Sequence, residues 1–284
     1  MKRLAFCIAL SALMLAGCKH ENKELTSEHS AQFSTHTVSG EQCYLVTFDQ
    51  ERAPWGTDFG SKASFTLTWP DEGVLSPGAE RELLLLCFMD STTTFDEAAH
   101  KWLATPFSYE DDMDCVRKPV KSIDENGDYS YMRLESTCTE DSTLAVFIIK
   151  TESFVFGAAH GMYSVDYLTV DKATGNAIHL ADLVTDTNLL CEAIAHAIQD
   201  LEVNKEIREC LFDEFRNAER MPMPINYLID STRNTITIVY ALYEIAPYAC
   251  GIQSVILPIF WLSKHVPLTP YAKELFGPGN YIEE

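Results

Sequence analysis

The stretch FVFGAAHGMYSVDYLTVDKATGNAIHLADLV, from Phe154 to Val184, decides the fold. It opens with a short apolar strand, and a loop of small residues, Gly157 to Gly161, follows with one histidine in it. Residues 163–170 alternate aromatic and β-branched side chains with others, which is typical of a half-buried strand. Turn residues at 172–176 precede another predicted strand at 177–180. The stretch therefore predicts strands arranged around a small-residue loop.

The rest of the chain is predicted to form short strands and helices. Ser76 before Pro77, and Thr94 three residues before Glu97, are typical of helix N-termini. We predict helices at 76–89, 94–103, 186–201 and 205–217, a hairpin of 116–123 with 129–137, and further strands at 41–49, 64–69, 144–150, 226–230, 235–242 and 254–260. This order indicates an α+β fold, with an antiparallel sheet and interspersed helices.

The N-terminus has the pattern of a lipoprotein signal peptide. Lys2 and Arg3 precede an apolar run, residues 4–13, and Leu-Ala-Gly-Cys18 follows as a lipobox. The alternative, a transmembrane anchor, needs roughly 18 to 20 apolar residues and the run is shorter. We expect cleavage before Cys18, whose lipid would anchor the chain in the cell envelope. Lys19, in place of Asp, favours the outer membrane.

The mature chain is expected to contain a tether and two subdomains. Residues 19–37 are polar, so they cannot bury enough apolar surface to repay ordering and are predicted to be a flexible tether. The remainder is long and apolar enough for a substantial core, because 46% of the chain is hydrophobic. We place an N-terminal α+β subdomain at 38–140 and a C-terminal domain at 141–284.

Disulfide bonds are expected, because an exported chain meets an oxidising compartment. Nine cysteines are present, and seven remain once Cys7 and Cys18 are assigned to the signal and the lipid. Cys115 and Cys138 bracket the predicted hairpin, while Cys191 and Cys210 lie in consecutive predicted helices. These two local pairings are our candidates, and the spacing of the cysteines supports no zinc ribbon or redox motif.

The net charge limits the classes of partner that the protein can bind. It is −21 for the whole chain, and loss of Lys2 and Arg3 with the signal makes it more negative. A nucleic-acid partner is excluded, because phosphate binding needs a basic face. The charge fits a basic partner, or solubility alone.

His160 is the obvious candidate for acid–base chemistry, yet no catalytic site is predicted. A general base needs an orienting carboxylate and a nucleophile or substrate within reach. Asp166 and Asp171 are near in sequence, but the chain has no G-x-S-x-G, H-E-x-x-H, G-x-G-x-x-G or P-loop motif. We therefore expect a loop histidine in a non-catalytic protein, without a metal or cofactor.

A second loop, Tyr243 to Gly251, has the composition of a recognition segment. Pro247 and Gly251 fix its shape, and Tyr243 and Tyr248 supply flat amphipathic rings that lose little entropy on binding. Alternatively, these rings pack on the end of the sheet, and the sequence favours neither interpretation over the other.

Both loops resemble one family, the extracytoplasmic domain of RsiV-type anti-sigma factors and PdaC-like peptidoglycan deacetylases. The matching segments are Gly157-Ala-Ala-His160-Gly161, Tyr167, Thr174-Gly175, Leu180-Ala-Asp182-Leu183, Tyr243-Glu-Ile-Ala-Pro-Tyr248-Ala-x-Gly251 and Val255-x-Leu257-Pro258.

The resemblance implies an α+β fold with a binding or sensor role, and lysozyme, a basic enzyme, or peptidoglycan as ligand. The chain lacks the catalytic domain of the deacetylases and the sigma-binding segment of the anti-sigma factors. The expected binding residues are Gly157, His160, Gly161, Tyr163, Tyr243, Pro247, Tyr248 and Gly251. An envelope assembly factor and a wall-glycan hydrolase are the alternatives.

Overall fold

Two β-sheets organise a computed structural model of the chain, which describes residues 33–48, 58–104, 115–124 and 129–282. Its strands are β1 Thr35–Phe48, β2 Asp58–Pro70, β3 Cys115–Val120, β4 Tyr129–Glu140, β5 Leu144–Phe154, β6 Met162–Asp171, β7 Asn226–Asp230, β8 Thr235–Tyr240 and β9 Gln253–Pro258. The larger sheet has the order β3-β1-β2-β4-β5-β6, and the smaller has the order β7-β8-β9.

The described helices are short and lie between the strands. They are α1 Pro77–Phe88, α2 Phe95–Ala104, α3 Leu180–Leu183, α4 Thr187–Asp200, α5 Lys205–Cys210, α6 Ile259–Leu262 and α7 Pro270–Phe276. Two 3₁₀ turns, Glu202–Asn204 and Tyr248–Cys250, accompany them. The predicted α+β class is confirmed.

The six-stranded sheet buries one face and leaves most of the other open. Its pairs are antiparallel except β2 with β4, which is parallel. Helices α1 and α2 pack on one face, where Leu67, Leu83 and Phe147 are completely buried. Because side chains alternate between the faces of a strand, the neighbouring residues of β1, β2 and β4 point to the open face and are largely polar, whereas Leu144 and Val146 of β5 are buried on that side.

The predicted starts of α1 and α2 are confirmed by their hydrogen bonds. The hydroxyl of Ser76 accepts a hydrogen bond from the backbone N–H of Ala79, at 3.3 Å. At α2, the N–H of Thr94 donates to the Glu97 carboxylate at 3.3 Å, and the N–H of Glu97 donates to the Thr94 hydroxyl at 3.4 Å. These reciprocal bonds satisfy amide groups that have no partner within the helix.

The smaller sheet and α4 enclose a second core, in which Leu190, Ile194 and Tyr240 are completely buried. Two asparagine side chains continue the backbone hydrogen bonding at strand edges. Asn226 donates to the Val165 carbonyl at 2.6 Å and accepts from the Tyr167 N–H at 3.1 Å, at the edge of β6. Asn204, which is fully buried, makes the equivalent pair with Ile256 of β9.

The predicted hairpin of 116–123 with 129–137 is wrong. Strand β3 pairs with β1, and β4 lies between β2 and β5, so two other strands separate the expected partners. The turn-forming sequence between them satisfies local rules, but β4 buries Met132 and Leu134 between β2 and β5, whereas β3 is largely exposed at the edge of the sheet.

Two other predicted elements differ at their ends. The strand expected at 177–180 is reduced to one bridge, between Ala177 and Val170, because α3 begins at Leu180. The carboxylate of Asp182 accepts the His179 N–H at 2.8 Å and fixes this helix start. The helix predicted at 205–217 ends at Cys210.

The disulfide also differs from both expected bridges. Cys210 is bonded to Cys250, with their Cα atoms 6.0 Å apart, while Cys138 and Cys191 are free thiols. Cys115 lies in β3 and Cys138 in β4, which are not neighbours in the sheet. Cys191 is buried in α4, and its thiol lies 3.7 Å from the sulfur of Met223.

Two of the predicted domain boundaries can be compared with the positions of the strands. Strand β1 begins at Thr35, within the segment expected to be a tether, and the boundary between 140 and 141 falls in the turn between the paired strands β4 and β5. The signal peptide and Cys18 lie outside the described residues. Among the residues that are described, no helix has the length and hydrophobicity to cross a membrane.

Candidate functional site

The two loops singled out by sequence meet at one surface. Gly157 to Gly161 joins β5 to β6 of the larger sheet, and Tyr243 to Gly251 lies between β8 and β9 of the smaller one. Four of the predicted binding residues form the contact, and we call them the tyrosine–histidine patch: His160, Tyr163, Tyr243 and Tyr248.

Tyr248 is the central ring of the patch. The imidazole of His160 stacks on it with the ring centroids 3.9 Å apart and an interplanar angle of 22°. The rings of Tyr243 and Tyr163 lie 5.7 Å and 6.4 Å from it, the second one edge-on. The edge-on contact of Tyr163 is one of the favourable arrangements of aromatic rings.

Hydrogen bonds fix the orientation of the rings. The Tyr248 hydroxyl donates to the Gly161 carbonyl at 2.8 Å, and Nδ1 of His160 lies 2.9 Å from the same oxygen. Because a carbonyl only accepts, Nδ1 carries the proton of this contact. In the neutral imidazole Nε2 is then an acceptor, and it faces the Tyr243 hydroxyl at 3.4 Å.

The backbone at the patch requires small residues. Gly251 has a φ of 71°, and a Cβ at this position would lie 3.1 Å from the Tyr163 hydroxyl. A Cβ at Gly161 would lie 2.9 Å from the Ser153 carbonyl oxygen. Tyr243 itself has a φ of 64°, which is uncommon for a residue with a side chain and is held by the surrounding structure.

The second loop is held at both ends of its 3₁₀ turn. Pro247 precedes the turn, and the disulfide fixes Cys250 to the end of α5. The side-chain amide of Gln253 donates to the carbonyls of Cys250 and Gly251, at 2.7 Å and 3.2 Å. The rings are thus presented by a segment with little freedom to rearrange.

The patch is an exposed surface. Tyr163 and Tyr243 are 40% and 41% exposed, His160 and Pro247 are exposed, and Tyr248 is partly buried beneath them. The tyrosines were predicted either to form a recognition surface or to pack on the end of the sheet. Each prediction is met in part, since Tyr248 packs inward while its neighbours face solvent. A cavity of about 250 Å³ lies elsewhere, between Trp69 and Glu80.

The two carboxylates considered as partners of His160, Asp166 and Asp171, do not orient it. Asp166 points to the face of the sheet that α1 covers, where burial raises its pKa and a hydrogen bond from Ser164 opposes this effect. Asp171 accepts a hydrogen bond from the Tyr271 hydroxyl at 3.0 Å. His160 instead contacts a carbonyl and a phenol, an arrangement suited to holding a ring in place.

Sequence reasoning missed the neighbours of the patch on the open face of the larger sheet. Glu152 lies directly opposite Tyr163 across β5 and β6, and Arg133 lies opposite Glu152 across β4 and β5. Tyr131 lies opposite Phe154 in the adjoining row. The sequence around each of these residues is typical of a strand and does not single the residue out. Only the long-range pairing of the strands brings them together.

The described residues contain no group of three or more His, Cys, Asp or Glu placed to hold a metal ion. The described cysteines outside the disulfide include buried thiols, and burial raises the pKa of Cys138 to about 11. This shift disfavours the thiolate that metal binding requires.

The fold is an α+β arrangement shared with solved proteins. Crystal structures of two DUF3298 family members are similar to it. The protein from Bacteroides fragilis has a TM-score of 0.58 at 15% identity, with 87% of this chain and 97% of that chain covered. The protein from Pseudomonas aeruginosa PAO1 has a TM-score of 0.51 at 17% identity, with 85% and 97% covered.

At these identities the likeness concerns the fold, and the DUF3298 domain is uncharacterised. No family model and no curated protein matches the chain.

Proposed function

We propose that this protein is a non-catalytic binding module of the cell envelope and that the tyrosine–histidine patch is its recognition surface. The observation that supports this is the rigid presentation of two exposed tyrosines, Tyr163 and Tyr243, whose rings pack against Tyr248. The disulfide and the hydrogen bond from Tyr248 to the Gly161 carbonyl hold this arrangement in place. Tyrosines are favoured at binding hot spots, and a preorganised surface loses little entropy on association.

The first partner to test is a basic protein of the lysozyme type. Two points support it: the resemblance of both loops to the lysozyme-sensing domain, and the net charge of −21, which would steer a cation to the surface. Peptidoglycan is the second ligand that the resemblance implies. An assembly factor would use the same surface for a protein partner, whereas a hydrolase would need two carboxylates facing each other across a cleft.

A binding titration with lysozyme at low salt tests the proposal. Tyr243→Ala and Tyr248→Ala should each weaken binding by about 1 to 3 kcal/mol, with Pro247→Ala in the same direction. The control is Phe260→Ala, because Phe260 is 51% exposed and follows the far end of β9.

The association rate should fall as salt rises, since the exposed charges are then screened. If both tyrosine variants bind lysozyme as strongly as the wild type does, the binding site lies elsewhere on the protein. Absence of binding by the wild-type chain would rule out lysozyme as the partner.

We further propose that a lipid on Cys18 holds the module in the outer membrane. Cys18→Ala should move the protein from the membrane fraction to the soluble fraction. Unchanged fractionation, together with no incorporation of labelled palmitate into the wild type, would contradict the anchor.

A further inference from the structure

The open face of the larger sheet carries an aromatic row beside the patch. The rings of Tyr129 and Tyr131 on β4 are 5.8 Å apart, and Tyr131 is stacked with Phe154 of β5 at 6.1 Å and 30°. The register of β5 with β6, continued by one residue, places Phe154 opposite Gly161. Gly161 has no side chain to cover Phe154, and a Cβ there would lie 3.9 Å from the Cβ of Phe154. The row thus ends where the patch begins.

A second row, of polar groups, runs alongside the aromatic one. Arg133, Glu152 and Tyr163 lie directly opposite one another across β4, β5 and β6. The Arg133 guanidinium is 3.8 Å from the Glu152 carboxylate and 5.9 Å from the centre of the Tyr131 ring. The Arg133 and Glu152 side chains are 54% and 53% exposed, so both retain hydrogen-bonding capacity toward solvent.

The cations that β2, β4 and β5 carry on this face each have a neighbouring carboxylate, although the chain carries −21 overall. Arg133 faces Glu152, Lys150 lies opposite Glu135, and Lys62 is 3.0 Å from Glu41. A surface in which each cation has a neighbouring carboxylate attracts neither a polyanion nor a polycation strongly. Such local balance fits a neutral ligand.

We propose that this face, formed by Tyr131, Arg133, Glu152, Phe154 and Tyr163, binds a neutral glycan chain. A sugar ring presents an apolar C–H face, which packs on an aromatic ring, and a rim of hydroxyl groups. The guanidinium fork and the carboxylate are suited to pairs of such hydroxyls. The ring centroids of Tyr129, Tyr131 and Phe154 are 5.8 and 6.1 Å apart, so the aromatic row advances by a step comparable to one sugar unit.

Other classes of ligand fit this face less well. A basic protein would gain from an excess of carboxylates, which the balanced rows do not supply. A nucleic acid would be repelled by Glu152 and by the net charge. The glycan proposal does not depend on the basic partner proposed above, and the two surfaces share Tyr163.

The test is a titration of the full mature chain with two soluble probes, a tetramer of N-acetylglucosamine and a tetramer of glucose, both β-1,4-linked. Tyr131→Ala and Arg133→Ala should each weaken binding on the order of tenfold. Thr137→Ala is the matched control, because Thr137 is exposed on the same strand and face. Binding of the first probe alone would identify N-acetylated glycans, and binding of both would support glycans generally.

Conservative variants separate loss of the site from loss of the fold. Tyr131→Phe keeps the ring and should bind nearly as the wild type does, while Arg133→Lys keeps the charge but loses the planar fork and should bind more weakly. Tyr243→Ala should leave glycan binding unchanged even where it weakens binding of a basic protein. The proposal is overturned if neither probe binds at millimolar concentration, or if Tyr131→Ala and Thr137→Ala bind alike.

Discussion

The imidazole of His160 stacks on the ring of Tyr248, and this contact joins a loop of the larger sheet to a loop of the smaller one. Because Tyr248 also donates to the carbonyl of Gly161, the contact and the hydrogen bond act on the same pair of loops. The patch is therefore a junction between two sheets as well as an exposed surface.

The two rings should be coupled energetically. In a double-mutant cycle, His160→Ala and Tyr248→Ala should show an interaction energy of about 0.5 to 1.5 kcal/mol in the free energy of unfolding, as expected for stacked rings. Urea denaturation measures it. The pair His160→Ala and Phe260→Ala should be additive, and additivity in the first pair would show that the stacking contributes nothing.

Replacing both Cys210 and Cys250 by Ser should lower the free energy of unfolding by roughly 2 to 5 kcal/mol, because the bond closes a long loop in the unfolded chain. Thermal denaturation measures the loss. Cys138→Ser should cost about 1 kcal/mol or less, since that thiol has no disulfide partner. Peptide mapping without reduction should recover Cys210 linked to Cys250; a link between Cys191 and Cys210 would refute the pairing.

Two glycine substitutions should act in opposite directions. Gly161→Ala places a Cβ 2.9 Å from a backbone oxygen, so we expect a loss of about 1 to 3 kcal/mol in the free energy of unfolding. Gly78→Ala, in α1, meets no atom closer than 3.8 Å and should stabilise the protein by up to about 1 kcal/mol. Equal effects at both positions would contradict the close approach at Gly161.

Asp166→Asn should change the pH dependence of stability. Burial raises the pKa of Asp166 in the folded protein, so the wild type loses stability as pH rises from the unfolded pKa of about 4 through the folded one. The unfolding free energy of the variant, relative to wild type, should therefore increase from pH 4 to pH 7.

Asp71→Asn is the control of opposite sign. Hydrogen bonds with Ser34 and His36 lower the pKa of Asp71, so the wild type is favoured above the unfolded pKa and this advantage is lost in acid. Urea titrations from about pH 7 down to about pH 2 measure both variants, because the stability that Asp71 contributes is lost as pH falls below its unfolded pKa of about 4. A relative stability of Asp166→Asn that stays flat with pH would contradict the buried carboxylate.

Local sequence signals predicted the elements that depend on local physics. The capping residues Ser76 and Thr94 marked both helix starts, and the alternation in β6 marked a strand whose bounds are close to those expected. The sequence also named residues of both loops as candidates for one binding site, and these loops lie in contact in the structure.

Contacts between residues distant in the chain could not be predicted from the sequence. Cys210 has Cys191 as a nearer candidate partner, and only the placement of α5 against the second loop selects Cys250. In the same way, nothing near Tyr131 indicates that Phe154 lies opposite it, since strand register is decided by burial across the whole sheet.

The parallel pairing of β2 with β4 divides the larger sheet into two halves that differ in when they can form. The β1–β2 pair and the β4-β5-β6 meander are each built from antiparallel neighbours close in sequence, whereas Gly60 pairs with Tyr129 far along the chain. Closure of this seam must await the second half, because distant contacts cost loop entropy before they contribute energy. We therefore expect Leu67 and Leu134 to lie on unpaired strand edges until this seam closes, and this is the stage of folding at which a chaperone would protect the chain most.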